Sequence, residues 1–318
     1  MKHPLSSGFG LAVLAGVSLV TSASAVVSID YVSVGKAGNA NDATGYGAVA
    51  YNYKIAKNET TIGQYAGFLN AAAKSDPYAL YNPSMTTSTI NGISCSGVSG
   101  GYTYAVNPGS ANKPITYVSW FDAARMCNWM HNGQGNGSTE TGAYTLNGAV
   151  SGIYTKNAGA TVWIPSENEW YKAAYYDATK GGRGGYWQYP TQSNTMGGYT
   201  MGGNTIGNAN SANYYDGDYV GYPTDVGAYG ANSDSFYGTN DQGGNVWEWN
   251  DAVSGLSRGL RGGSWNGNVN YLRASTRGNV DSRDEDASVG FRVASVPEPS
   301  CVVLTILASG MFVTRRKR

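Results

Sequence analysis

Histidine and charge are both scarce in this sequence. Only two histidines, His3 and His131, occur among 318 residues. A Ser-His-Asp triad would have to recruit His131, and no nucleophile-elbow motif supports it. Charged residues make up 13% of the chain, with 21 lysines and arginines balancing 21 aspartates and glutamates. Without a basic surface to displace counterions, nucleic acid is not an expected partner. Three cysteines cannot build a disulfide scaffold, and Cys301 sits in the C-terminal tail, which leaves Cys95 and Cys127 as at most one pair. No Walker or dinucleotide-binding glycine motif follows a strand-like stretch. The carboxylate pairs that could in principle cleave a glycoside, Glu167 with Glu169 and Glu248 with Asp251, each contain a residue with another explanation.

Long apolar runs are missing as well, since neither end reaches the roughly 20 residues of a relaxed spanning helix. Residues 1–25 combine Lys2, an apolar run from Phe9 to Val20 and a small-residue Ala23-Ser24-Ala25 site, the pattern of a secretory signal peptide cut after Ala25. Residues 296–318 hold Pro297-Glu298-Pro299, an apolar stretch from Ser300 to Thr314 and the basic end Arg315-Arg316-Lys317-Arg318. The basic end fits the positive-inside rule for a transient membrane contact. This trio resembles the PEP-CTERM sorting signal of Gram-negative bacteria. The resemblance implies an exosortase as processing partner, and a location at the cell surface or in the extracellular matrix.

What is abundant is glycine, at 45 residues, and tyrosine, at 25. With 41% hydrophobic residues the chain can bury a full core, so it reads as one loop-rich domain over residues 26–295 with a polar-aromatic surface. Three helix starts carry capping signals. Thr61 with Gln64 opens a helix from about Ile62 to Ala73, Ser119 with Asp122 opens a second that ends near His131, and Ser166 with Glu169 opens a third. Glu169 is thereby assigned to capping. His131 falls where the second helix ends and suits its dipole. A short strand is expected from Pro114, two or three strands from Val26 to Tyr53, and a surface excursion over 76–113.

Residues 241–265, DQGGNVWEWNDAVSGLSRGLRGGSW, fit neither a helical nor a strand period and read as a packed, irregular hub. Its GNVWEW and RGGSW elements, followed by GFRV at 290–293, resemble the formylglycine-generating-enzyme (sulfatase-modifying factor) family. The blocks KNETTIGQYAGFLNA, VSWFDA with CNW, and WIPSENEW resemble that family in the same order, although Trp163 stands where its arginine would be. The resemblance implies an α+β fold related to C-type lectins, with little regular secondary structure.

Hard cations want several oxygens from carboxylates and loop carbonyls, and Asp241, Gly244, Val246 and Glu248 supply two of each at short spacing. The alternative is that Asp241 and Glu248 cap turns or pair with arginines. The resemblance implies a structural calcium on these four residues, and a second on Asn213, Tyr214, Asp218 and Val220. It also implies what is missing: the family's copper-binding thiol positions fall by count on Gly267 and Leu272, which cannot ligate copper. A related branch uses histidine-ligated iron, and a single histidine cannot make that site. No catalytic residue is therefore assigned. Residues 266–271, NGNVNY, place Asn266, Asn268, Asn270 and Tyr271 where the active enzymes keep their thiols. Amides suit hydroxyl groups and rings suit stacking, so these four are candidate contacts for an extracellular polysaccharide or protein, unless Asn-Gly-Asn is simply a turn. The sequence thus points to an exported, calcium-stabilised binding module. The alternatives are a family oxidoreductase with an unrecognised site, or a structural matrix protein.

Overall fold

The computed structural model describes residues 26–196, 206, 208–215 and 221–297. The expected signal peptide, the tail from Glu298 onward, and Asp218 and Val220 lie outside the described residues. In chain order the regular elements begin with β1 (Tyr31–Val34), β2 (Tyr53–Ala56), α1 (Ile62–Ala72), the short α2 (Ser84–Thr87), β3 (Ile93–Ser96) and β4 (Thr103–Val106). Then come α3 (Trp120–His131), β5 (Val162–Trp163), α4 (Glu167–Tyr175), β6 (Tyr176–Asp177) and β7 (Gly185–Tyr186). The last third adds β8 (Trp247–Ser254), β9 (Ser257–Arg261), β10 (Gly278–Asp281), β11 (Val289–Gly290) and β12 (Ala294–Ser295). Short elements and long loops make this an α+β fold of the expected kind.

The three helices start where the capping chemistry places them. Thr61, Ser119 and Ser166 each hold an extended backbone and accept from the amide three residues on, while the side chain of Gln64, Asp122 or Glu169 reaches back to the cap's own amide. Two otherwise orphaned donors are satisfied at each start. Tyr65, Phe68 and Leu69 turn the buried face of α1 into the core, and Phe68 packs on Trp129 of α3 with ring centroids 5.3 Å apart. Helix α3 is buried almost all round, from Trp120 through Trp129.

Two four-stranded sheets frame the helices. The first runs β1-β2-β12-β5 and closes the domain by pairing its first strands with its last. The second runs β10-β9-β8-β11, with β11 parallel to β8 and the other pairs antiparallel. The hub at 241–265 is therefore more regular than its sequence suggests, because most of it is the β8–β9 hairpin. Side chains there do not alternate in burial: Glu248, Trp249 and Asn250 are all buried, and the register shifts between Asn250 and Val253. That shift hides the period-2 pattern by which a half-buried strand is recognised.

Two other expectations change. Residues 76–113 are not a surface excursion: Leu80, Met85, Ile93 and Tyr104 are buried, and the β3–β4 hairpin lies on α1. Pro114 opens no strand and makes only an isolated bridge to Thr61. Cys95 and Cys127 are both free thiols, the latter wholly buried in α3. Among the described residues, no helix is long and apolar enough to cross a membrane.

Candidate functional site

The second sheet presents a groove of about 690 Å³. Its floor is Trp247, at the start of β8, beside Tyr271, with ring centroids 5.6 Å apart and planes at 55°. One wall is β10 and the opposite rim is the loop through Asp284, Glu285 and Asp286. Tyr271 reaches the floor because the chain after β9 turns back on itself through Gly262 and Gly263, both at positive φ. A side chain at Gly263 would strike Tyr271 and Leu272. Gly267 is equally constrained by space, since a Cβ there would lie 2.8 Å from the Tyr271 ring. The ring thus occupies the room that a side chain at 267 would need.

Charge in the groove is mostly committed. Arg277 donates two bonds of 2.9 Å to Glu167, which also accepts from the buried Arg261. Asp286 accepts from the amide and hydroxyl of Ser288. Glu285 accepts from Asn82, and burial raises its carboxyl above the usual range. Asp284 is exposed to solvent. The groove is therefore an aromatic floor with an amide and carboxylate rim, and its one arginine is already paired.

The four predicted contact residues separate here. Asn266 and Tyr271 line the groove, the first accepting from Ser264 Oγ at 2.6 Å and the second 44% exposed. Asn268 does not line it: its amide oxygen caps the 3-10 turn Val269–Leu272 by accepting from Asn270 N. Asn270 is exposed beside it, with its carbonyl taken by Thr276 and Arg273. Asn268 and Asn270 thus belong to the turn at 268–272, one step along from the Asn-Gly-Asn of 266–268. Of the two counted thiol positions, Gly267 lines the groove, but Leu272 is fully buried against Tyr189, Ala212 and Tyr214. Sequence reasoning missed Trp247, Arg277 and the β10 wall, and the acidic run at 284–286 was the one available signal.

The proposed metal ligands also separate. Both Glu248 oxygens are occupied, Oε2 by Arg292 Nε at 2.6 Å and Trp170 Nε1 at 2.7 Å, and Oε1 by Arg292 Nη2 at 2.7 Å. Glu248 is a charge partner here, and its carboxylate does not fit a cation site. Asp241 adopts positive φ and accepts from Gly227 N at 2.6 Å, and burial pushes its carboxyl up to about 6. Gly244 packs directly on the Asn213 carbonyl, and that carbonyl accepts from Asn245 N. Val246 is buried, and its amide donates to Glu59. Burial, and then the charges of Asp241 and Glu248, raise Glu59 well above the usual carboxylate range. Among the described residues, no three His, Cys, Asp or Glu side chains converge to hold a metal. Of the second set, the Asn213 amide donates to Tyr222 O and Asn245 Oδ1, and Tyr214 is buried. Its other members, Asp218 and Val220, are the two outside the described residues.

The remaining candidate carboxylates have structural partners as well. Glu169 accepts from Ser166 N, from Tyr51 and from Trp163 Nε1, so tryptophan fills the place of the expected arginine with a neutral donor. Asp251 pairs with Arg258 at 2.8 Å. His131 ends α3 and its Nδ1 meets the Thr161 hydroxyl at 2.8 Å.

A search of curated proteins finds no match. By fold, the chain is similar to the crystal structure of CarF, at 18% identity and TM-score 0.52, over 86% of this chain and 100% of that one. It is also similar to Treponema denticola variable protein 1, at 17% identity and TM-score 0.50, over 84% and 95% of the two chains. Such low identities speak for the fold alone. The family model described as sulfatase-modifying factor enzyme 1-like domain matches residues 31–296, from β1 through β12. The chain belongs to that sulfatase-modifying factor family.

Proposed function

We propose that this protein is an exported binding module whose groove recognises an extracellular polysaccharide. The observation that carries the reading is the replacement at 267: glycine stands where the resemblance expects a thiol, and the Tyr271 ring fills the space beside Trp247. A groove floored by two partly exposed rings and edged by amides and carboxylates suits sugar rings and their hydroxyls. Export rests on the leader at 1–25, and surface sorting by an exosortase on the tail from Pro297. Mass spectrometry of the surface protein tests the latter, and an intact Arg318 there would overturn it.

A second reading has its own observation. Strand β10 is the edge of its sheet and its residues Gly278, Asn279 and Val280 line the groove, so an extended protein segment could pair with it. Binding of purified residues 26–296 to a glycan array and to the producer's own polysaccharide separates the two. Saturable glycan binding lost in Tyr271→Ala supports the first; no glycan binding by folded protein overturns it. Calcium belongs to this proposal as a structural ion on the Asn213, Tyr214, Asp218 and Val220 set, without Glu248. The melting temperature should rise on adding calcium chloride and fall with chelator, and Asp218→Ala should abolish that response.

A further inference from the structure

We infer that the glycan site continues past the groove, across a second aromatic platform made by Trp265 and Tyr222, and that its occupant is a linear chain of several sugars without acidic groups. This rests on the polysaccharide reading above. Trp265 precedes the groove residue Asn266, and its Nε1 donates to Ala287 O, between the groove-lining Asp286 and Ser288. Its ring therefore lies against the groove's rim. Tyr222 stacks on it, with centroids 6.1 Å apart and planes at 22°, and remains 51% exposed.

Beyond Tyr222 lies a separate cleft of about 300 Å³, lined by Ile90, Pro108, Lys113, Thr116, Tyr222 and Pro223 among others. The bond from Tyr117 N to Asp286 O, at 3.0 Å, joins the residue after the cleft-lining Thr116 to the groove-lining Asp286. Groove, stacked rings and cleft are thus linked through neighbouring residues, with a partly exposed tyrosine ring at each of two stations. A single sugar would use one station, whereas a chain can use both. The charges select among chains. Asp284 is exposed at the groove rim, Arg277 is held by Glu167, and Lys113 Nζ donates to Pro223 O at 2.7 Å with Asp225 at 3.8 Å. No uncommitted cation among these residues would receive a uronate or sulfate, so neutral or amino sugars are favoured.

The test is calorimetric titration of wild-type protein and Tyr222→Ala with disaccharides, tetrasaccharides and octasaccharides of glucan, mannan and chitosan, and with alginate octasaccharide. Affinity should rise with chain length, and Tyr222→Ala should lower octasaccharide affinity about three- to tenfold while leaving the disaccharide unchanged. Unchanged octasaccharide affinity in Tyr222→Ala, with binding lost in Tyr271→Ala, would confine the site to the groove: this inference would fall and the polysaccharide reading would stand. Alginate bound as tightly as the neutral chains would overturn the charge selection. No oligosaccharide bound by folded wild-type protein would overturn both.

Discussion

Arg292 closes on Glu248 through two bonds, Nε to Oε2 at 2.6 Å and Nη2 to Oε1 at 2.7 Å, with both side chains fully buried. The same guanidinium donates to the carbonyls of Ala56, Lys57 and Asn240, so one side chain joins the end of β2, the loop before β8 and β8 itself. Removing one partner would strand the other as an uncompensated buried charge. Arg292→Ala or Glu248→Ala should each lower the unfolding free energy by about 3–5 kcal/mol. Urea denaturation monitored by tryptophan fluorescence would measure it, and a loss below about 1 kcal/mol would mean water reaches this site.

Gly244 and Gly255 provide a controlled comparison within the same hub. Both have positive φ, +86° and +64°. A Cβ at Gly244 would be driven into the Asn213 carbonyl, whereas one at Gly255 meets nothing within 4 Å. Gly255→Ala should therefore cost only the left-handed backbone penalty of about 1–2 kcal/mol. Gly244→Ala adds overpacking against main chain and should cost on the order of 2–4 kcal/mol. Equal losses in the two variants would show that the loop at 213 yields freely.

Local chemistry was legible in the sequence, and long-range pairing was not. The caps at Thr61, Ser119 and Ser166 act within three residues, so their spacing gave α1, α3 and α4 to within a residue or two. The β8–β9 hairpin was invisible because Glu248 points inward, toward an arginine 44 residues away that no local pattern announces. The stretch at 76–113 reads as surface in the sequence because its buried Leu80, Met85, Ile93 and Tyr104 are too widely spaced to show a period. At the groove, Asn266 and Tyr271 stand out in the sequence by their place after RGGSW, whereas Trp247 reads only as part of the packed hub at 241–265. Its role in the groove depends on Tyr271 folding back over two glycines.

Gly267 offers a direct test of that fold-back. A side chain there meets the Tyr271 ring, and the ring is 44% exposed, so it can swing outward at little cost in stability. Gly267→Cys should keep the fold, displace Tyr271 from Trp247 and weaken glycan binding about tenfold, in line with loss of one stacking surface. A crystal structure of the variant with Tyr271 still at the groove floor would contradict the packing argument.

Asp122 should make the domain less stable as pH rises through the mildly acidic range. Its Oδ2 accepts from Ser119 N at 2.8 Å and Oγ at 2.7 Å, yet burial, with Glu285 adding to it, pushes the carboxyl up to about 7. In the unfolded chain the same group releases its proton near about 3.9. Between those values the folded protein holds a proton that the unfolded chain has lost. Stability from this group is therefore complete below about pH 4 and is lost progressively as pH approaches 7. Asp241, pushed up to about 6, and Asp251, pushed up to about 7, act with the same sign. Asp122→Asn keeps an acceptor oxygen for Ser119 N and has no proton to lose. Relative to wild type, it should gain stability steadily from about pH 4 to about pH 7 in urea titrations. A difference between the two proteins that stays flat across that window would show that Asp122 is already ionised in the folded core.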